Sequence, residues 1–257
     1  MQRAKQRISA VIIAFNEEKN LAECLESVKW ADEIVVIDSF STDKTVEIAK
    51  GFTDKVFRKK WEGFAKQREF SLEMASNEWI ISLDADERVT EELRDSIDKI
   101  LSVPTEANGF KVARRNYFLG KWITGANWYP DHQLRVFRKE KARMTDVLVH
   151  EGFEVDGNIE IISGDIIHYS YRTLEEAYRK INHYSTLAAD QRAGEKVNAF
   201  DLILHPIAAF LTDYFSRKAY KDGLHGLLVA IMNSMTNLMT YTKIWEIRNV
   251  KAKDNKK

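Results

Sequence analysis

Proline and cysteine are scarce in this chain. Its 257 residues hold three prolines, Pro104, Pro130 and Pro206, and one cysteine, Cys24. A single cysteine forms no intrachain disulfide, and a reducing compartment fits. No Pro-rich linker, low-complexity stretch or internal repeat divides the chain. An excess of charge is missing too. The 39 Lys and Arg balance 39 Asp and Glu, so no global field favours nucleic acid, and none is expected as a partner. Both glycine-rich phosphate loops are absent. No G-x-G-x-x-G follows the first apolar segment, and no G-x-x-x-x-G-K-[ST] occurs. A nucleotide bound here must hold its phosphates through metal and cations. A leader is not expected either. Residues 1–7 are polar and basic, and the apolar run 8–15 is too short for a signal-peptide core. The expectation is a cytoplasmic protein.

What is present alternates. Residues 8–15 are apolar except Ser9 and rich in β-branched side chains, as in a buried strand. Asn16-Glu17-Glu18 closes this strand and opens a helix with Leu21, Cys24, Leu25 and Val28 on one face. Residues 33–37 read as a second strand ending in Asp38-Ser39-Phe40-Ser41-Thr42-Asp43. Ser41 or Thr42 can cap the helix that follows. A short strand at 55–57 precedes a helix over 63–75, with Phe64, Ser71, Leu72 and Ala75 inward. A strand from Trp79 precedes a helix over 90–101. Four strand-helix repeats predict a parallel sheet with helices on both faces. Its ligand crevice collects the strand ends Phe15-Asn16-Glu17, Asp38-Ser39 and Asp84-Ala85-Asp86.

The centre of this pattern is Trp79-Ile80-Ile81-Ser82-Leu83-Asp84-Ala85-Asp86-Glu87. An apolar strand delivers two carboxylates at its carboxyl end. Alternate residues of an extended chain share a side, so Asp84 and Asp86 can face one target. Two close carboxylates repel, and a hard cation such as Mg²⁺ or Mn²⁺ relieves that repulsion. Taken alone, a D-x-D is equally a pair of solvated loop residues or a helix cap.

The order of motifs resembles the family 2 glycosyltransferases with the GT-A fold. Strand-Asn-Glu-Glu comes first, then Ile37-Asp38-Ser39-Phe40-Ser41-Thr42-Asp43. Lys66-Gln67-Arg68 on a helix follows, then Leu83-Asp84-Ala85-Asp86-Glu87. The resemblance covers roughly the first hundred residues. It implies a nucleotide-sugar donor bound with Mg²⁺ or Mn²⁺. By similarity Asp38 contacts base or ribose, and Arg68 lies near base or phosphates. Asp84 approaches ribose and metal, Ala85 belongs to the same nucleotide-binding turn, and Asp86 ligates the metal. Phe15, Asn16 and Glu17 line the nucleotide site. One departure is Asp38-Ser39-Phe40-Ser41, where many members have two acidic residues and a glycine.

The character changes after residue 107. Residues 109–114 and 134–138 look like strands. Between them, residues 116–130 interleave aromatics with Gly and Asn, which suits a loop packing on sugar faces or simply over the core. Arg114, Arg115, Lys121, Arg135 and Arg138 make this half locally basic, which suits an anionic acceptor or a solvated face. Residues 147–149 lead to His150-Glu151, at the family's position for the catalytic base. Glu151 is the first candidate, and His150 the rival because its ordinary pKa lies nearer neutrality. The apolar stretch 159–167 ends at His168, a structural histidine or, by the resemblance, a third metal ligand. A helix is expected over 173–192.

Residues 202–220 are largely apolar, and 223–242 lack Asp, Glu, Lys and Arg. The second stretch has the length of a membrane span, but Asn233, Ser234, Thr236, Asn237 and Thr240 make it too polar for one. Leu224, Leu228, Ile231, Met235, Leu238 and Thr242 form a seam suited to another helix or a second copy of the chain. The helical pair can also lie on a membrane surface or dock on its own domain. Asp222-Gly223 and Lys243-Ile244-Trp245-Glu246 give a looser resemblance to bacterial lipopolysaccharide-core β-1,4-glucosyltransferases. That implies UDP-glucose, a lipid-linked glycan acceptor and a peripheral place on the inner face of the cytoplasmic membrane. The expected divisions are a nucleotide-sugar half (1–107), an acceptor half (108–198), amphipathic helices (199–250) and a disordered tail (251–257). Two other functions fit D-x-D. One is a phosphohydrolase of the haloacid-dehalogenase kind, with Asp84 as nucleophile. The other is a non-catalytic sugar-nucleotide-binding membrane scaffold.

Overall fold

A computed structural model describes residues 6–144 and 152–251. In chain order the elements are β1 (Ile8–Ala14), α1 (Leu21–Ser27), β2 (Glu33–Asp38), α2 (Thr45–Lys50), β3 (Val56–Arg58) and α3 (Phe64–Met74). Next come β4 (Trp79–Asp84), β5 (Glu87–Val89), α4 (Glu91–Ser102), β6 (Ala107–Phe118), β7 (Lys121–Trp122) and β8 (Asp131–Arg138). The rest are β9 (Ala142–Met144), β10 (Phe153–Val155), β11 (Asn158–Tyr171), α5 (Leu174–Gln191), α6 (Ala199–Leu211) and α7 (Leu224–Glu246). The main sheet runs β3-β2-β1-β4-β8-β6-β11-β5, with β7 on β6; β9 and β10 form a separate ribbon. β3, β2, β1 and β4 are parallel, and β8 adds antiparallel to β4.

The chain divides into two compact units. The first comprises residues 1–114 and 131–168, the second 115–130 and 169–257. In the first unit β1 is buried along its whole length. Its alternate side chains serve two cores. Ile8, Ala10 and Ile12 pack with Leu21, Cys24 and Leu25 of α1 and Leu93, Ile97 and Leu101 of α4. Val11 and Ile13 pack with Leu72 of α3. Period-two alternation thus puts helices on both faces of the parallel strands. Each fully buried Ile or Leu contributes about 1.5–3 kcal/mol.

Among the described helices of the first unit, only α4 carries a side-chain cap at its start. Thr90 caps α4 by accepting from the Leu93 N–H. Ser41 and Thr42, expected to cap α2, do not; its cap is Lys44. Their polar groups bind the preceding loop instead. Ser41 Oγ accepts from the Asn16 N–H at 2.9 Å, and the Thr42 N–H donates to Asn16 Oδ1 at 2.9 Å.

The second unit is helical around Phe118, Ile123, Ala177, Ile181, Val229 and Met232. Thr173 and Glu176 form a capping box on α5, and Asn198 with Asp201 forms one on α6. On α7 the inward residues are Gly226, Val229, Ala230, Met232, Thr240 and Ile244. The expected seam lies partly outside, with Leu224, Ile231 and Leu238 exposed. Polar residues of α7 are partly buried and find partners within the unit. Asn233 donates to Asp213, and Ser234 donates to the Pro206 carbonyl. No described helix is long and apolar enough to cross a membrane.

Candidate functional site

The parallel register brings the strand ends together. Ala14 lies opposite Asp38, and Ile13 opposite Asp84. Beside them opens a cleft of about 800 Å³ lined by Phe15, Glu17, Ser39, Phe40, Trp61 and Phe64 among others. Phe64 was expected inward; it is instead substantially exposed and meets Trp61 edge to face at 4.7 Å. The cleft is therefore aromatic, with few polar groups, as suits a planar ring.

Asp38 is buried and builds the rim. Its carboxylate accepts from the Phe40 N–H at 3.1 Å and the Ser41 N–H at 3.2 Å. These bonds hold Phe40 at φ 65°, a left-handed conformation that costs a non-glycine residue. Glycine would adopt it freely. The phenyl ring stays exposed on the cleft, with the Arg58 guanidinium 5.8 Å from its centroid. Asn16 lies at φ 55° and its side chain holds Thr42. Gln67, legible in the sequence only as part of the Lys66-Gln67-Arg68 motif, braces the loop. Fully buried in α3, it donates to Ser39 Oγ at 2.8 Å and the Lys59 carbonyl at 3.0 Å.

Asp84 sits between two guanidiniums. Arg68 Nη2 lies 3.1 Å from Oδ1, and Arg135 Nη2 lies 3.3 Å from Oδ2. Burial by itself would raise the Asp84 pKa. The charges of Arg68 and Arg135, the Arg68 hydrogen bond and His168 outweigh it and hold the carboxyl well below the usual range. Arg135 also pairs with Glu87, which is fully buried, and Glu87 accepts from the Asp84 N–H at 3.0 Å. Arg114 reaches Glu87 at 3.4 Å and Asp131 at 2.6 Å. A chain of alternating charges thus runs from Arg68 to Asp131. From sequence alone Arg135 counts only toward a basic half. The available signal was a cation flanked by Leu134 and Val136 in a strand pattern. The phosphohydrolase reading needs Asp84 as a nucleophile, and a carboxylate held by two guanidiniums is poorly suited to attack.

Asp86 lies in the turn between β4 and β5. Its Oδ2 is 3.4 Å from His168 Nε2, and β11 pairs with β5 so that His168 lies opposite Glu87. The buried Ala85 sits between the two aspartates, and its carbonyl accepts from Arg88 at 3.0 Å. Among the described residues, no three His, Cys, Asp or Glu side chains gather as a complete metal cage. The Asp86 carboxylate is an oxygen donor of the kind Mg²⁺ or Mn²⁺ takes, with His168 beside it. Such ions commonly take one or two protein ligands and complete their shell with water and substrate phosphate. The base candidates His150 and Glu151 lie outside the described residues.

The glycosyl transferase family 2 model matches residues 9–154. The lipopolysaccharide core biosynthesis glycosyltransferase LpsC of Rhizobium meliloti (strain 1021) is 35% identical over 98% of this chain and 96% of its own. The uncharacterized glycosyltransferase RT0209 of Rickettsia typhi is 30% identical over 97% of this chain and 92% of its own. Among solved structures, S. aureus TarS 1-349 in complex with UDP-GlcNAc covers 96% of this chain and 92% of its own, with 13% identity and a TM-score of 0.47. The matched span runs from β1 to β10 and contains every strand end that builds the acidic site, so the chain belongs to glycosyl transferase family 2 and has its GT-A arrangement.

Proposed function

We propose that the chain is an inverting, metal-dependent glycosyltransferase. It moves a hexose from a nucleotide sugar, UDP-glucose first among candidates, to a lipid-linked glycan such as lipopolysaccharide core. The observation that carries this reading is the Asp84-Ala85-Asp86 turn beside the aromatic cleft, with His168 at Asp86. The near full-length likeness to LpsC supports the acceptor class. A glycolipid acceptor puts the reaction at the inner membrane face.

In this reading Phe15, Glu17, Phe40 and Trp61 receive the nucleoside. Asp38, Asn16 and Gln67 act through the loops they brace. Asp84, fixed by Arg68 and Arg135, meets the ribose side. Asp86 and His168 would hold the metal, whose charge offsets that of the departing diphosphate. Glu151 takes the proton of the acceptor hydroxyl on the opposite side of the sugar.

A thermal-shift screen of nucleoside diphosphates with and without Mn²⁺, followed by transfer assays across sugar nucleotides, tests the assignment. UDP should stabilise the protein only with metal, and Asp86→Ala should remove both that dependence and transfer. Near-normal turnover by Asp86→Ala would overturn the site. Metal-dependent UDP binding with no turnover on any donor would favour the scaffold alternative.

A further inference from the structure

The second unit carries an apolar surface that the proposed reaction does not use. On α6 and the turn that follows it, Phe200, Ile203, Leu204, Ile207, Leu211 and Phe215 keep between 47% and 73% of their surface exposed. At 100° per residue the five on α6 fall within an arc of about 100°. The inward side of the same segment is spent on contacts within the unit, through Pro206 and Asp213. This is an amphipathic helix whose apolar face points away from its own core.

The chain next to the stripe is basic. Arg217, Lys218 and Lys221 follow Phe215, interleaved with the exposed Tyr220 and followed by the exposed Leu224. All three cations line a cavity of about 390 Å³ with Thr124, Asn127 and Ser216, and no carboxylate lines it. The cavity walls are held in place by Asp222. This buried carboxylate accepts from the Thr124 N–H at 3.0 Å, the Gly125 N–H at 2.7 Å and the Thr124 hydroxyl at 3.0 Å. The Ala126 N–H also donates to the Arg217 carbonyl at 2.8 Å. Gly125 permits this approach, since a Cβ there would come within 2.6 Å of the Ala219 Cα. Apolar stripe and cationic cavity together match an anionic bilayer, with acyl chains for the first and lipid phosphate for the second.

We propose that the α6 stripe and the Arg217–Lys221 turn dock the second unit on an anionic lipid surface. The stripe lies in the plane of the interface, and a headgroup phosphate enters the cation-lined cavity. This deepens the glycolipid-acceptor reading, but its test needs neither donor nor acceptor, so the two can fail separately.

The test is co-sedimentation of the full chain with vesicles of phosphatidylglycerol and phosphatidylcholine, against vesicles of phosphatidylcholine alone. Sedimentation velocity without lipid accompanies it. The protein should bind the anionic vesicles and lose binding as salt rises. Ile203→Ser/Ile207→Ser/Phe215→Ser changes exposed positions only and should weaken binding at least 100-fold. Lys218→Gln/Lys221→Gln should weaken it roughly 30-fold. Both variants should keep the far-UV circular dichroism and thermal midpoint of the parent. If either is misfolded, Ile207→Ser alone and Lys221→Gln alone replace them, with smaller losses expected. Absence of binding to anionic vesicles overturns the proposal, as does binding unchanged in both variants. A parent dimer that the stripe variant turns into a monomer, with no lipid binding, overturns it in favour of a second copy of the chain.

Discussion

The parallel strands of the first unit carry ion-paired acidic residues at both ends, and the two ends are built differently. At the amino end, Glu33 of β2 accepts from Ser9 Oγ at 2.5 Å and the Ser76 N–H at 2.7 Å, and pairs with Lys55. One carboxylate meets one ammonium, and hydroxyl and amide donors supply the rest. At the carboxyl end, Asp84 and Glu87 share Arg135, with Arg68 and Arg114 beyond them. That chain of charges stops at a turn whose next carboxylate, Asp86, faces His168 beside the cleft. The physics is the same, but only the carboxyl end leads to a place where a ligand's charge can enter. Substitutions at the carboxyl end should therefore change activity and stability together. A residue of the chemistry alone should change only activity, and the amino end only stability.

The largest effect is expected at Arg135. Replacing it with Leu leaves Glu87, which is fully buried, with Arg114 at 3.4 Å as its nearest remaining cation. Removing one partner of a buried pair costs about 3–5 kcal/mol, because the other charge stays desolvated. Urea unfolding should show that loss, and donor affinity should fall as Asp84 loses one of its clamps. Arg135→Leu with unchanged stability and donor affinity would erase the contrast between the ends.

Arg135 also shows where the sequence stops being legible. The acidic turn could be read because β4 is a local apolar run that ends in charge. Strand-helix alternation likewise gave the parallel strands and the helix over 90–101. Arg135 meets Asp84 only because β8 pairs antiparallel with β4, Ile81 opposite Val136. A register over fifty residues leaves no local trace. Ser41 and Thr42 were misread as caps for a related reason. Their local preference yields to Asn16, 25 and 26 residues away. On α6 the apolar residues were visible, but which face would remain exposed depends on what the other face packs against.

The second effect sharpens the activity-only case. Glu151→Gln should lower kcat by roughly 100-fold, since general-base catalysis contributes about 10²–10⁴, and should leave donor affinity and the urea midpoint largely unchanged. His150→Ala should cost less. A full-rate Glu151→Gln beside a dead His150→Ala would move the base to His150.

The smallest effect tests the stability-only end, through pH. Burial alone would raise the pKa of Glu33. The Lys55 ammonium, the Ser76 N–H and the Ser9 and Ser76 hydroxyls outweigh it and pull the pKa from 4.5 to about 2. A group whose folded pKa is depressed adds stability above its unfolded value. That stability drains away as pH falls from about 4.5 through about 2. A shift of this size corresponds to about 3 kcal/mol in full. Lys55 is 42% exposed, so solvent screens part of it, and about 2 kcal/mol is the expected share at pH 7. Glu33→Gln removes the titrating charge while nearly keeping the shape. Urea unfolding of parent and variant should differ by about 2 kcal/mol at pH 7 and by less than half of that near pH 3, where most of the carboxyl's advantage has been titrated away. Transfer activity at pH 7 should match the parent, because Glu33 lies at the end of the strands away from the cleft. A stability gap that does not narrow with acid would remove the carboxylate's role. A loss of transfer in a fully folded Glu33→Gln would mean that the two ends are not separate in function.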